Sequence, residues 1–171
     1  TNTKSPRWPM RLGDFCVILA LRSWSHFLGP AVIKDSSIGV FMRILVADDQ
    51  RKVRFALRVL LEQQPEMEVV GEAADGQTLL ACISATSPDV VLVDWKLPGF
   101  AGGQLMPSLR AEDPDLAVIV LSPRLEARRS ALDAGASAFV CKCDAPEQLL
   151  AAIAGVQVRQ ACTARASPSV P

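Results

Sequence analysis

Three aspartates stand directly after apolar segments, where a sheet of parallel strands places its reactive groups. Asp48 and Asp49 follow the apolar segment 44–47, and Asp94 follows the apolar segment 90–93. If both segments are neighbouring parallel strands, the three carboxylates meet at the carboxyl edge of the sheet. Converging carboxylates repel one another unless a cation joins them, and a site made of oxygens favours Mg²⁺. The sequence therefore predicts a magnesium site at this edge.

Two more polar residues occupy the same kind of position. Ser122 follows the apolar segment 117–121, and Lys142 follows the segment 138–141. A hydroxyl can hydrogen-bond a phosphoryl group, and an ammonium can neutralise its charge. A carboxylate such as Asp94 can attack phosphorus to give an acyl phosphate. Together with Mg²⁺, these groups predict a phosphoryl-transfer site.

The segments that would position these residues alternate between strand and helix periods from residue 42 onward. Strands are predicted near 43–47, 67–72, 89–93, 116–121 and 137–141. Helices are predicted near 51–63, 76–86, 102–112, 124–134 and 144–154. The first helix carries an inward apolar stripe formed by Val53, Ala56, Leu57, Leu60 and Leu61. Strands alternating with helices predict a parallel sheet covered on both faces.

Local signals mark several helix ends. Gly135 suits the left-handed position that terminates a helix, and Pro114 ends the preceding one. The pair Asp144 and Glu147 is typical of a capping box, so we expect Asp144 to cap the last helix.

Charge is unevenly distributed along the 171 residues, although the formal net charge is zero. Residues 1–41 carry a net charge of +3, residues 42–154 a net charge of −5, and residues 155–171 a net charge of +2. Binding to phosphate backbones needs clustered Lys and Arg, so the acidic central part argues against direct nucleic-acid binding. The same acidity favours Mg²⁺ and partners with basic surfaces.

The order of these motifs resembles the receiver domain of two-component response regulators over about 42–153. The resemblance is carried by segment 44–49, by segment 94–99 (Asp-Trp-Lys-Leu-Pro-Gly), by Ser122 and by segment 135–142, which ends in Lys142. Segment 72–76 (Glu-Ala-Ala-Asp-Gly) is similar to receivers that usually precede LuxR-type DNA-binding domains. The resemblance implies a flavodoxin-like (βα)₅ fold, a doubly wound parallel sheet with strand order 2-1-3-4-5.

The resemblance also implies a role for each site residue. Asp94 would be the phosphoacceptor, with Lys142 and Ser122 contacting the phosphoryl group. The ligands of Mg²⁺ would be Asp49 directly, Asp48 through water, Asp94 and the main-chain carbonyl of Lys96. A further residue, Phe139, would be the rotating aromatic side chain that reports phosphorylation.

Two features depart from the family pattern as the sequence aligns with it. The segment between Ser122 and Gly135 is about two residues short, and its first residue, Pro123, has no N–H to offer a phosphoryl group. Cys143 stands where the family usually has a proline, which puts the cis peptide bond expected there in doubt.

The chain ends are expected to lie outside the core. We expect residues 1–41 to be a non-core or disordered leader, residues 42–154 the receiver domain and residues 155–171 a disordered tail. The leader's apolar run at 15–21 is too short to span a bilayer. Five cysteines without CxxC spacing fit a reducing compartment, so a cytoplasmic location is expected.

Three functions remain open from the sequence. The first is a phosphoacceptor, not an enzyme in its own right, that takes a phosphoryl group from a histidine kinase or phosphotransfer protein and then binds a downstream protein. Such a receiver would act as a monomer or weak homodimer, without membrane or direct nucleic-acid contact. The second is a degenerate receiver that serves as an interaction scaffold. The third is a haloacid-dehalogenase-like phosphohydrolase, against which Lys96 argues, because that family has an Asp two residues after its nucleophile.

Overall fold

A computed structural model describes residues 41–100 and 103–166, with side chains up to residue 159. The strands are β1 (Met42–Ala47), β2 (Met67–Ala73), β3 (Val90–Asp94), β4 (Ala117–Ser122) and β5 (Ala138–Cys141). The helices are α1 (Arg51–Glu62), α2 (Gly76–Thr86), α3 (Leu105–Glu112), α4 (Ala127–Asp133) and α5 (Pro146–Ala166). Strands and helices alternate without exception through this part of the chain.

The five strands form one parallel sheet in the order β2-β1-β3-β4-β5. This order confirms the predicted flavodoxin-like fold. The three inner strands β1, β3 and β4 are almost completely buried, which explains why they read as continuous apolar runs. The order also places the ends of β1, β3, β4 and β5 side by side at one edge of the sheet.

Alternation along each strand divides the core into two layers. On one face, Ile44 and its neighbours pack under α1 and α5 against residues such as Leu61 and Ile153. On the other face, Leu45 packs with Leu79 of α2 and Leu109 of α3. All six of these side chains are fully buried, so the sheet is covered on both faces.

Helix ends show which local signals the chain uses. Asp75 caps α2, because its Oδ1 accepts a hydrogen bond from the N–H of Thr78 at 2.8 Å. Gly135 follows α4 with φ of +99°, the left-handed conformation predicted for it. Asp144 was expected to cap the last helix, but its Oδ2 accepts from the N–H of Cys141 at 3.0 Å.

The last helix is longer than predicted. The sequence suggested an end near Ala154, whereas α5 continues to Ala166. Val156 is only 2% exposed and belongs to the core layer under α1 and α5. The expectation that disorder begins at residue 155 is therefore wrong for residues 155–166. Residues 1–40 of the predicted leader (1–41) and residues 167–171 of the predicted tail lie outside the described residues, so those parts of the division stay predictions.

Candidate functional site

The carboxyl edge of the sheet brings the predicted site residues together. Asp94 is the last residue of β3 and Ser122 the last residue of β4, while Asp48 directly follows β1 and Lys142 directly follows β5. The sheet register pairs Asp94 with Leu121, so the ends of β3 and β4 lie almost level. Four chain segments therefore supply polar groups to one small region.

The ammonium of Lys142 joins two of the aspartates. Its Nζ lies 2.5 Å from Oδ2 of Asp48 and 2.8 Å from Oδ1 of Asp94. Asp48 is 0% exposed and Asp94 is 7% exposed, so both charges are held almost entirely away from water. A buried carboxylate needs such a partner, and one cation here serves two of them.

The electrostatic balance of this cluster appears in two pKa shifts. Burial raises the pKa of the Asp48 carboxyl more than its hydrogen bond and ion pair with Lys142 lower it. Burial lowers the pKa of Lys142, but the bonds to Asp48 and Asp94 outweigh it, and the pKa ends above its ordinary value. The ammonium is therefore firmly protonated, while Asp48 is the carboxylate that burial penalises.

The loop after β3 wraps around the Asp94 carboxylate. Its second oxygen, Oδ2, accepts a hydrogen bond from the N–H of Lys96 at 3.1 Å. The N–H of Trp95 donates to the carbonyl of Leu121 on β4 at 2.9 Å, and the N–H of Leu97 donates to the carbonyl of Asp94 at 3.1 Å. Both carboxylate oxygens are thus held in place, one by Lys142 and one by the main chain.

The turn after β1 contains two aspartates in different environments. Asp48 is buried and its Oδ1 accepts from the N–H of Gln50 at 2.9 Å, whereas Asp49 is exposed. Within residues 41–100 and 103–159, no three Asp, Glu, His or Cys side chains are grouped so that they could hold a metal ion by themselves. The donors available are hard oxygens of Asp48, Asp49, Asp94 and the main chain, which suit Mg²⁺ because this ion keeps several waters as ligands.

The sequence prediction missed a charged contact that holds this turn. Arg54 on α1 donates through Nη1 to the carbonyl oxygens of Asp48 at 2.7 Å and Asp49 at 3.4 Å. Its Nε donates to Oε2 of Glu72 at 3.1 Å. The sequence signal for this contact was Glu72, an acidic residue near the end of β2, at the same edge of the sheet as the other polar groups.

Ser122 is buried, with 3% of its surface exposed. Its Oγ accepts a hydrogen bond from the N–H of Arg124 at 3.2 Å, across Pro123, which has no N–H to give. An open groove of about 750 Å³ lies beside it, lined by Trp95, Lys96 and residues 122–127. The groove therefore lies between the segment after β4 and Trp95 and Lys96, the two residues that follow the predicted nucleophile.

The remaining predicted residues lie on and after β5. Phe139 is half-buried, pairs with Val120 and packs against the core layer under α2, α3 and α4. The described residues contain no cis peptide bond, so the bond before Cys143 is trans. The N–H of Cys143 donates to Sγ of Cys141 at 3.3 Å.

Comparison with known proteins assigns most of the described chain to a family. Residues 44–154 match the response regulator receiver domain. The chain belongs to this receiver family. Receiver domains are typically not true enzymes and generally bind Mg²⁺. The haloacid-dehalogenase alternative has no support in this match.

Similar receivers come from bacterial transcription regulators. The regulatory protein YhcZ of Bacillus subtilis is 40% identical over 111 residues, which cover 64% of this chain and 52% of YhcZ. A LuxR-family response regulator from Aurantimonas sp. SI85-9A1 is 32% identical, with a TM-score of 0.63 over 68% of this chain and 84% of that chain. The isolated REC domain of RcsB from Salmonella enterica serovar Typhimurium, with phosphomimetic BeF₃⁻, is 30% identical, with a TM-score of 0.64 over 68% of this chain and 88% of that chain.

These relatives confirm the predicted resemblance to receivers of LuxR-type regulators. The chain spans about half the length of the curated relatives that it matches. What it shares with them is the receiver domain of a two-component response regulator. No helix among the described residues is both long enough and apolar enough to cross a membrane.

Proposed function

We propose that this receiver accepts a phosphoryl group on Asp94 from a phosphohistidine of a histidine kinase or phosphotransfer protein. An oxygen of Asp94 attacks phosphorus, the bond from phosphorus to the histidine nitrogen breaks, and an acyl phosphate forms. The histidine nitrogen takes the electron pair of that bond, and the imidazole leaves as a neutral ring because its other nitrogen is protonated. Later attack by water on the acyl phosphate returns the carboxylate and releases inorganic phosphate.

The observation that carries this proposal is the Lys142 ammonium at 2.8 Å from Oδ1 of Asp94. A phosphoryl group on Asp94 brings negative charge to the place where this ammonium already lies, and the charge is stabilised without reorganisation. Asp49, Asp48 and the carbonyl of Lys96 would hold Mg²⁺ at the same edge. When bound, the ion neutralises phosphoryl oxygens and orients them for in-line transfer.

The signal would pass through Ser122 and Phe139. Ser122 lies at the end of β4, and its hydroxyl would bond the phosphoryl group. Phe139 is half-buried on the next strand and pairs with Val120 of β4, so a movement of β4 would be transmitted to its ring. The face formed by α4, β5 and α5 would then bind a downstream protein.

The test is phosphorylation by a small-molecule donor. The full chain is incubated with acetyl phosphate and Mg²⁺, and its intact mass is measured beside that of Asp94→Asn. We expect one phosphoryl group on the wild type and none on the variant. Asp133→Asn is the matched control, because Asp133 is an exposed aspartate on α4 whose ion pair with Arg129 is open to solvent. A phosphoryl group that persists on Asp94→Asn would overturn the assignment of the acceptor.

A second candidate, a scaffold that binds partners without phosphorylation, is favoured by one observation. Pro123 offers no N–H, and the N–H of Arg124 is already bonded to the Ser122 hydroxyl at 3.2 Å. The phosphoryl group would then find fewer donors than usual. Wild-type protein that gains no phosphoryl group from acetyl phosphate with Mg²⁺, yet stays folded, would favour the scaffold.

A further inference from the structure

Arg54 occupies an unusual position for a charged helix residue beside a cluster of acids. Its side chain is 15% exposed, and it turns toward the main chain of the residues that follow β1. The Nη1 atom donates to the carbonyl oxygen of Asp48 at 2.7 Å and to that of Asp49 at 3.4 Å. The guanidinium therefore bonds the backbone of the turn and leaves the carboxylates of both aspartates to other partners.

Glu72 fixes the guanidinium in this position. Its Oε2 accepts from Nε of Arg54 at 3.1 Å, and its Oε1 accepts from Nε of Arg58 at 2.7 Å. The Glu72 side chain is 28% exposed, so this three-residue network is partly shielded from water. Because Arg54 donates from two different nitrogens, it joins β2 to the turn through one rigid planar group.

A main-chain hydrogen bond to β2 also holds this turn. The N–H of Asp48 donates to the carbonyl of Ala73, the residue after Glu72, at 3.0 Å. The main chain at Asp48 is thus bonded through its N–H to β2 and through its carbonyl to Arg54, which is itself held by β2. These contacts fix the main-chain position from which the side chains of Asp48 and Asp49 extend.

We infer that Arg54, held by Glu72, is a positioning residue that sets the Asp48–Asp49 turn for Mg²⁺ binding. The inference rests on the proposed function, because that proposal places the ion at these two aspartates. Arg54 contacts neither the ion nor the phosphoryl group in this role. It acts as an outer partner that orients ligands, a kind of residue whose loss commonly weakens metal binding.

The experiment compares three variants of the full chain by isothermal titration calorimetry with MgCl₂, without any phosphodonor. Arg54→Lys keeps the charge, but a single ammonium cannot bond Glu72 and the two carbonyls with the same fork geometry. Glu72→Gln removes the anionic partner. Glu62→Gln is its charge-matched control, because Glu62 bonds only the outer side of Arg58, at 3.3 Å, and its side chain is 53% exposed.

We expect Arg54→Lys and Glu72→Gln each to raise the Mg²⁺ dissociation constant by about 10-fold, as outer-partner substitutions do. Glu62→Gln should bind Mg²⁺ as the wild type does. Urea unfolding in EDTA accompanies each titration. A variant that remains almost wholly folded shows its true site affinity, so lost stability alone would not move the dissociation constant.

Three results would count against the inference. Unchanged Mg²⁺ affinity in both Arg54→Lys and Glu72→Gln would overturn the positioning role and leave the proposed function standing. Equal weakening in Glu62→Gln and Glu72→Gln would overturn it too, because net charge would then be the cause. A wild type that binds no Mg²⁺ would overturn the proposed function itself, and this inference with it.

Discussion

Replacing Lys142 by Met should destabilise the metal-free fold strongly, because it removes the one ammonium between two buried carboxylates. Asp48 is 0% exposed and Asp94 is 7% exposed, and Lys142 lies 2.5 Å and 2.8 Å from their oxygens. Removing one partner of a buried ion pair costs about 3–5 kcal/mol. That is a large part of the roughly 5–15 kcal/mol by which a domain is stable. Met keeps most of the aliphatic volume of the Lys142 side chain, so the lost unfolding free energy reports the removal of the ammonium charge.

The measurement is urea unfolding in EDTA, followed by far-UV circular dichroism. A second variant, Lys142→Met with Asp48→Asn, removes the more deeply buried of the two stranded charges. We expect it to recover about half of the loss, since one uncompensated carboxylate remains. The single variant Asp48→Asn completes a double-mutant cycle. The unfolding free energies of the wild type, Lys142→Met, Asp48→Asn and the double variant together isolate the coupling between Lys142 and Asp48.

The stability lost in Lys142→Met should also depend on pH, and the direction of that dependence follows from the pKa of Asp48. Its pKa is raised by burial even with Lys142 present, and loss of the ammonium raises it further. A carboxyl whose folded pKa lies above its unfolded value of about 3.9 gains stability as pH falls through the folded pKa. The difference between wild type and Lys142→Met should therefore be largest near neutral pH and shrink as the pH falls through the raised folded-state pKa of Asp48. A loss below about 1 kcal/mol, the value of an exposed pair, with no pH dependence would refute the argument.

Three further predictions test other parts of the chain. Pro123→Ala should bind beryllofluoride with Mg²⁺ several-fold more tightly, because it restores a donor worth about 1.5–3 kcal/mol if fully used; equal binding in a calorimetric titration would point to the short loop instead. Gly76→Ala should lower the unfolding free energy by about 1–3 kcal/mol, because the new Cβ would lie 2.7 Å from the Phe100 ring. Gly155→Ala is its control: the nearest atom is 3.8 Å away, so the exchange should stabilise α5 by up to about 1 kcal/mol. A chain starting at Met42 should unfold at the same urea concentration as the full chain; a loss above about 2 kcal/mol would show that the leader packs on the core.

The positions of the strand-end residues were predictable because they depend on local patterns. Apolar runs followed by single polar residues identify buried parallel strands, and topology then brings their ends to one edge. Asp48, Asp94 and Lys142 meet in this way, as the two ion pairs of Lys142 show. Ser122 also lies at this edge, at the end of β4. The metal and phosphoryl roles of these residues stay predictions.

Two features were not predicted from the sequence. One is a contact between distant segments, and the other is a helix end with a weak local signal. The bonds from Arg54 to main-chain carbonyls leave no trace in hydrophobic periodicity, because any surface helix of this kind carries arginines. The extension of α5 to Ala166 was missed because the sequence after it is rich in Ser and Pro and resembles a tail. Alanine is nonetheless the best helix former, and Val156 supplies a core contact beyond the predicted end.

The pairing of Lys142 with Asp48 joins residues that are 94 positions apart in the chain. One follows β1 and the other follows β5, and β3 and β4 lie between those strands in the sheet. Closing so long a loop costs entropy that the completed sheet offsets, so we expect this contact to be among the last to form during folding. A nascent or truncated chain without β5 would have the acidic residues but not the ammonium. The site thus comes into existence only when the whole domain is assembled, and competence for phosphotransfer would be a late and sensitive reporter of complete folding.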